Sequence, residues 1–239
     1  MTGKGISELR VEGNVAVLTI DNGPKNLLSE PEFADRRELL GLPERYPQAG
    51  ALIITGKGRH FSHGADVSLF GEADSAELSA KLEGARELLS IIENLPLITA
   101  AAINGGCFGG GLEIALSCQF RIASPSAFLG LPEVTHGVMP GMGGTERLCR
   151  LIGREKALAM ILGGDIIGSG KALGMGLITG ISRDRDAFGE TMAFVKSLME
   201  GKSISQIRAV AGTAARAAAG VPDPSKGSFE ALLAEVREA

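Results

Sequence analysis

The sequence predicts an α/β fold with mainly parallel strands, followed by a helical C-terminal segment. Short apolar runs end at turn-forming residues, which is typical of buried strands. Stretches with apolar residues at three- and four-residue spacing lie between those runs, as in amphipathic helices. After Gly141 the helical pattern dominates. Strands that alternate with helices indicate crossover connections and therefore parallel pairing.

The predicted strands all lie before Gly141. They are short apolar segments bounded by turn residues, at positions 14–21, 51–56, 97–104, 120–123 and 127–129. The predicted helices follow the apolar spacing of an amphipathic surface. They are 31–40, 75–93, 144–152, 154–162, 185–199, 203–219 and 228–236.

Composition and charge exclude several classes of protein. The chain has 239 residues, 44% hydrophobic and 22% charged, which is ordinary for a soluble domain. A net charge of −4 argues against a nucleic-acid surface. No apolar run is long enough to cross a bilayer, and the first residues show no secretory signal. We therefore expect a cytoplasmic protein without nucleic-acid or membrane partners.

The three cysteines do not predict a metal site. They form no C-x-x-C pair and have no histidine pair beside them, so we expect small buried thiols and no bound metal.

A glycine-rich segment from Ile103 to Leu116 carries the strongest local signal. The consecutive glycines 109–111 let backbone approach a ligand closely. A helix that begins there offers unpaired N–H groups, which suit an oxyanion. Glu113 falls on the first turn of that helix. The alternative is that the glycines only allow the helix to pack closely on a sheet.

Four segments with distinctive motifs occur along the chain. They are Asn22-Gly-Pro-Lys-Asn-Leu-Leu-Ser29, Gly56-Lys-Gly-Arg-His-Phe-Ser-His-Gly-Ala-Asp-Val67, the glycine segment ending in Glu113, and 131–148. In order and spacing they resemble the enoyl-CoA hydratase/isomerase (crotonase) superfamily, and the second matches its G-x-G-x-x-F-x-x-G-A-D signature in full. The resemblance implies a crotonase-like (ClpP/crotonase) spiral of ββα units. It also implies a core over 1–184 with the acyl-CoA site, and a helical oligomerisation segment over 185–239 that is shorter than in the family.

The resemblance implies roles for four residues. The backbone N–H groups of Ala65 and Gly110 would hold the thioester oxygen while an enolate forms. Glu113 would orient and deprotonate water, and Glu133 would give a proton to the α-carbon. This equipment predicts an enoyl-CoA hydratase-type lyase, which adds water reversibly and syn to a trans-2-enoyl thioester. Each residue has a structural alternative: a tight turn for Ala65, and pairing with surface arginines for the glutamates.

The resemblance also implies how the substrate is held. The positions that match CoA-binding segments are Lys25, Asn26, Leu27, His63, Ala65, Asp66, Val67, Gly109 and Gly110. CoA is part of the substrate thioester, so no separate cofactor is expected.

A homotrimer or a hexamer is implied as well. Apolar residues such as Phe194, Leu198 and Met199 are expected to lie exposed on the C-terminal helices and to favour that assembly.

Three alternatives stay open. A Δ3-Δ2-enoyl-CoA isomerase needs only one carboxylate. A specialised dehydratase would act on acyl-CoA or on an acyl carrier protein thioester. A non-catalytic crotonase-fold protein would have no need of both glutamates. The natural acyl group and its carrier are not specified by the sequence.

Overall fold

The structure is a computed structural model that describes residues 6–30, 32–65 and 75–218. The strands are β1 (Ser7–Glu12), β2 (Val15–Ile20), β3 (Ala51–Gly56), β4 (Ile98–Ile103), β5 (Gly106–Phe108), β6 (Phe120–Ala123), β7 (Phe128–Gly130), β8 (Ile166–Gly168) and β9 (Gly180–Ile181). The helices are α1 (Arg36–Leu40), α2 (Leu42–Arg45), α3 (Ser75–Asn94), α4 (Gly110–Ser117), α5 (Gly144–Ile152), α6 (Arg154–Gly163), α7 (Ser169–Met175), α8 (Ala187–Met199) and α9 (Ile204–Ala218).

The main sheet has the strand order β1-β2-β3-β4-β6-β9. All neighbouring pairs are parallel except β1 and β2, which form an antiparallel hairpin at the edge. Strands β2 and β3 are almost completely buried, because helices cover both faces of a parallel sheet. The predicted α/β fold with mainly parallel strands is therefore confirmed.

A second, three-stranded sheet has the order β5-β7-β8. Strand β5 follows β4 after only two residues and leads directly into α4. This short connection brings the start of α4 to the carboxyl end of the main sheet, where ligands of α/β proteins commonly bind.

Two apolar clusters cover the two faces of the main sheet. The larger one includes residues of α3 and α4, such as Leu88 and Leu112. The smaller one joins Val17 and Ile53 to Val195 and Met199 of α8. Helix α8 lies against β3, β4 and β6.

Several sequence predictions need correction. The predicted helix 31–40 begins only at Arg36, because the Asp35 side chain caps it by accepting hydrogen bonds from the N–H groups of Arg37 and Glu38. The helix predicted from 185 begins at Ala187, since Asp186 caps it in the same way. Strand β1 was missed because its alternate residues Glu8, Arg10 and Glu12 are polar and exposed. The region after Gly141 is not purely helical, because it also contains two strands: β8 belongs to the three-stranded sheet and β9 to the main sheet.

The apolar residues expected to be exposed on the C-terminal helices are not free. Met199 is buried, and Phe194 packs edge-on against Phe120 of β6 with ring centroids 5.1 Å apart. Phe194 and Met199 cover the chain's own sheet, and Leu198 is half-buried, so these residues give no support to a trimer. The boundary between 184 and 185 and the oligomeric state stay predictions, and the helix predicted over 228–236 lies outside the described residues. None of the described helices combines the length and apolarity that a membrane crossing requires.

Candidate active site

The start of α4 is shaped by an unusual backbone at Gly109. This residue has φ +53 and ψ −128, and its N–H donates to the carbonyl of Gly130 at 2.9 Å. The chain turns sharply there, so that Gly110 becomes the first residue of the helix. Only glycine adopts this positive φ without strain. The first N–H groups of a helix have no intrahelical acceptor.

The turn that carries Ala65 lies directly against the start of α4. Gly64 has φ +82, and a Cβ added to it would lie 2.7 Å from the Phe108 oxygen and 3.0 Å from the Gly110 nitrogen. A Cβ on Gly110 would lie 3.9 Å from the Ala65 nitrogen. The structure therefore brings the Ala65 and Gly110 amides together. Within the part of the chain described, neither amide donates a hydrogen bond.

The other glycines of this segment serve packing. A Cβ on Gly105 would lie 2.2 Å from the Arg59 carbonyl oxygen, and one on Gly111 would lie 2.4 Å from that of Ser62. Backbone atoms cannot give way at such distances. Gly110 differs, because its added Cβ would first meet Leu28 Cδ1 at 2.9 Å, the movable end of a side chain. Close packing therefore explains why positions 105 and 111 are glycine. At position 110, packing alone does not require a glycine.

Glu113 lies buried on the first turn of α4, as the sequence predicts. Its Oε1 accepts hydrogen bonds from the N–H groups of Met142 at 2.8 Å and Gly144 at 2.7 Å. A Cβ on Gly144 would lie 2.7 Å from Glu113 Cγ, so that position needs glycine for the close approach. The carboxylate thus organises the loop that precedes α5.

Two arginines hold the same loop from its carbonyl side. Arg86 Nε donates to the Gly141 carbonyl at 2.7 Å, and an Arg147 guanidinium nitrogen donates to that of Met142 at 2.8 Å. Arg147 is also paired with Glu93 at 3.1 Å, with both side chains largely buried. No sequence pattern indicated a role for Arg86, because it lies on α3, far from the loop in the chain.

Glu133 opens a single-turn 3₁₀ helix, Glu133–His136, and points back towards α4. Its Oε1 lies 3.4 Å from where a Cβ on Gly109 would stand. Its Oε2 is buried and has no hydrogen-bond partner among the described residues. A buried carboxylate oxygen without a partner is costly, unless it carries a proton or meets a ligand.

The two glutamates have different electrostatic surroundings. Burial raises the pKa of Glu133 to about 7, and the negative charge of Glu113 adds to that rise. Burial also raises the pKa of Glu113, but hydrogen bonds from Gly144 and Met142 and the charges of Arg147 and Arg86 oppose it. Glu133 therefore gains or loses its proton near neutral pH, whereas the hydrogen bonds and arginine charges around Glu113 favour its ionised form.

The predicted CoA-binding residues occupy varied positions. Lys25 is exposed and Leu27 is half-buried, while Asn26 is completely buried with its side chain bonded to backbone. The His63 imidazole packs against the rings of His60 and Phe108, at centroid distances of 4.4 and 4.9 Å. Burial lowers the pKa of His63, which favours the neutral ring. The predicted residues Asp66 and Val67 lie outside the described residues.

The site therefore gathers two unpaired amides and two carboxylates in different electrostatic surroundings. Such a set can polarise a carbonyl and move protons beside it. In the described ranges, no three histidine, cysteine or acidic residues lie together as a metal ion would require.

The chain is similar to several known proteins. A family model described as enoyl-CoA hydratase/isomerase matches residues 10–229. A Bacillus subtilis (strain 168) protein named probable enoyl-CoA hydratase is 43% identical over 175 residues, which are 72% of this chain and 67% of that protein. The structure of Pseudomonas aeruginosa DspI is 29% identical with a TM-score of 0.80, covering 100% of this chain and 91% of that one. An enoyl-CoA hydratase structure from Bacillus anthracis is 26% identical with a TM-score of 0.80, covering 98% and 88%.

Proposed function

The chain belongs to the enoyl-CoA hydratase/isomerase family of enzymes, and on that basis we propose that it adds water reversibly to trans-2-enoyl thioesters of CoA. The observation that carries the proposal is the contrast between Glu113 and Glu133. One carboxylate is fixed by two N–H groups, while the other has an unpaired buried oxygen and a pKa of about 7.

In the proposed reaction the thioester oxygen lies between the amides of Ala65 and Gly110. Both N–H groups are free among the described residues and belong to rigid backbone, so they need no rearrangement to receive negative charge. Fixed donors of this kind typically contribute a factor of about 10² to 10³ each. The polarised carbonyl makes the β-carbon of the enoyl group open to attack by water.

The two glutamates then divide the proton transfers. Ionised Glu113 orients a water molecule with its second oxygen and takes a proton as the new C–O bond forms at the β-carbon. Protonated Glu133 gives its proton to the α-carbon as the enolate collapses. Glu113 lies on the first turn of α4 and the Glu133 carboxyl lies beside Gly109, just before that helix, which is consistent with addition to one face of the double bond. In the reverse direction the same two groups exchange roles.

The direct test is to incubate purified protein with crotonyl-CoA and to follow the loss of the enoyl thioester absorbance. We expect loss of absorbance with formation of 3-hydroxybutyryl-CoA. A matched sample of the Glu133→Gln variant controls for contaminating hydratase from the expression host. Absence of hydration by the wild-type protein, or equal rates for both samples, would contradict the proposal.

One observation favours a second candidate, the double-bond isomerase. Glu113 Oε1 is already committed to two backbone N–H groups, so this carboxylate could serve the loop alone and leave Glu133 as the sole proton carrier. Incubation with a 3-enoyl-CoA distinguishes the two reactions. An isomerase would produce the conjugated 2-enoyl thioester and would tolerate Glu113→Gln.

A further inference from the structure

Two fully buried polar side chains, Asn26 and Ser62, lie beneath the turn that carries Ala65. Neither belongs to the reacting groups of the proposed mechanism. Burying an amide and a hydroxyl is unfavourable unless their hydrogen bonds are made. Their partners are all backbone groups of the loops around the site, so their role is found in those contacts.

Asn26 joins two loops through its side chain. Its Nδ2 donates to the carbonyls of Lys57 at 3.0 Å and His60 at 2.8 Å, and its Oδ1 accepts from the Asn22 N–H at 3.1 Å. It is also the one non-glycine residue with positive φ, +48, among those described. Asparagine tolerates this conformation better than most residues. The strained backbone directs the Asn26 carbonyl towards Ser62.

Ser62 connects the loop that contains Asn26 to the turn that carries Ala65. Its Oγ donates to the Asn26 carbonyl at 2.8 Å and accepts from the Gly64 N–H at 3.1 Å. Its own carbonyl accepts from the Phe108 N–H at 3.0 Å, and Gly111 packs closely on the same residue. Ser62 therefore contacts both the turn before Ala65 and the segment that leads into Gly110.

We propose that Asn26 and Ser62 are positioning residues that fix the separation and direction of the Ala65 and Gly110 amides, an inference that rests on the proposed function. The Ser62 hydroxyl links the loop that contains Asn26 to the turn that carries Ala65. The Ser62 backbone carbonyl holds the segment that leads into α4. Without the hydroxyl, the Gly64 N–H loses its acceptor and the turn is free to shift. A shift of about 1 Å in a positioned group can lower a rate on the order of a hundredfold.

The test compares Ser62→Ala with Ser124→Ala. Ser124 is also fully buried, and its Oγ donates to a backbone carbonyl, that of Asn104, at 3.1 Å. None of its described hydrogen bonds involves a residue of the site. We expect Ser62→Ala to lower kcat for hydration by roughly ten- to a hundredfold, with a much smaller change in KM. Ser124→Ala should lower thermal stability without that loss of kcat.

A spectroscopic measurement separates positioning from simple destabilisation. The infrared carbonyl stretch of a bound, isotope-labelled thioester reports how strongly the amides polarise it. We expect a shift to lower frequency in the wild-type protein and a smaller shift in Ser62→Ala. Asn26→Gly tests the same link if Ser62→Ala fails to fold, because glycine keeps the positive φ and loses only the side chain. It should show the same reduced shift.

Two distinct failures can be recognised. If kcat and the carbonyl shift in the folded variants match those of Ser124→Ala, the positioning role is wrong while the proposed function stands. If the wild-type protein neither hydrates crotonyl-CoA nor shifts the carbonyl, the proposed function itself is wrong.

Discussion

Replacing Glu113 by glutamine and by alanine should separate its structural contribution from its chemical one. Its Oε1 accepts two buried backbone hydrogen bonds, from Met142 and Gly144. Glutamine keeps an oxygen at that position and can still accept both. Alanine removes the acceptor and leaves two buried N–H groups unpaired, at about 1–3 kcal/mol each.

The expected loss of stability for Glu113→Ala is therefore about 2–6 kcal/mol, against about 1 kcal/mol or less for Glu113→Gln. Urea denaturation of both variants beside the wild-type protein measures this difference. Hydration should fall by more than about tenfold in Glu113→Gln, because an amide cannot take the proton from water.

Two results would refute this reasoning. Equal loss of stability in both variants would mean that the charge, rather than the acceptor oxygen, holds the loop. Unchanged hydration in folded Glu113→Gln would remove this residue from the chemistry and favour the isomerase.

Three further outcomes are expected. The folded-state pKa of Glu133 is raised to about 7 from an ordinary value of 4.5, so the folded protein loses stability as pH rises through that interval. Denaturation at about pH 5 and pH 8 measures this loss, and Glu133→Gln should remove it. An unchanged pH dependence in the variant would show that another group titrates. Gly110→Val should lower hydration by at least about tenfold, because its Cβ would stand 3.9 Å from the Ala65 nitrogen, beside the proposed position of the thioester oxygen. The variant should lose little thermal stability, because the Leu28 side-chain end that this Cβ meets at 2.9 Å can move. Its control is Gly170→Val on the first turn of α7, where an added Cβ meets nothing within 4 Å, and equal activities would mean that Gly110 serves packing alone. Light scattering should give the mass of a trimer or hexamer, because assembly would cover exposed apolar residues such as Phe128, Leu162 and Ile166. A monomer at micromolar concentration would contradict the assembly.

Local patterns predicted the parts of the site that are continuous in sequence. The apolar run, the glycines and Glu113 lie within one segment, so helix α4 and its first turn could be predicted from spacing and from the free N–H groups of a helix start. The α/β class followed similarly from alternating strand and helix patterns. Strand β1 escaped because four of its six residues are polar.

The contacts between distant segments could not be predicted in this way. Asn26 was expected to face CoA, yet its side chain is committed to the carbonyls of Lys57 and His60, more than thirty residues away. The interaction of Glu113 with the loop before α5 likewise joins residues about thirty positions apart. Sequence spacing identifies a residue type suited to hydrogen bonding but does not identify the backbone group that the fold brings to it.

The central claim is that Glu113 and Glu133 share one proton during catalysis. Hydration takes up and releases no proton overall, so both directions require the pair to hold a single proton. The most direct measurement is kcat/KM for hydration and for dehydration between about pH 5 and 9. We predict that both profiles fall together as pH rises through about 7, where Glu133 loses its proton, and that the residual activity of Glu133→Gln lacks this decline. A wild-type profile that stays flat across this pH, or a decline retained in Glu133→Gln, would contradict the account.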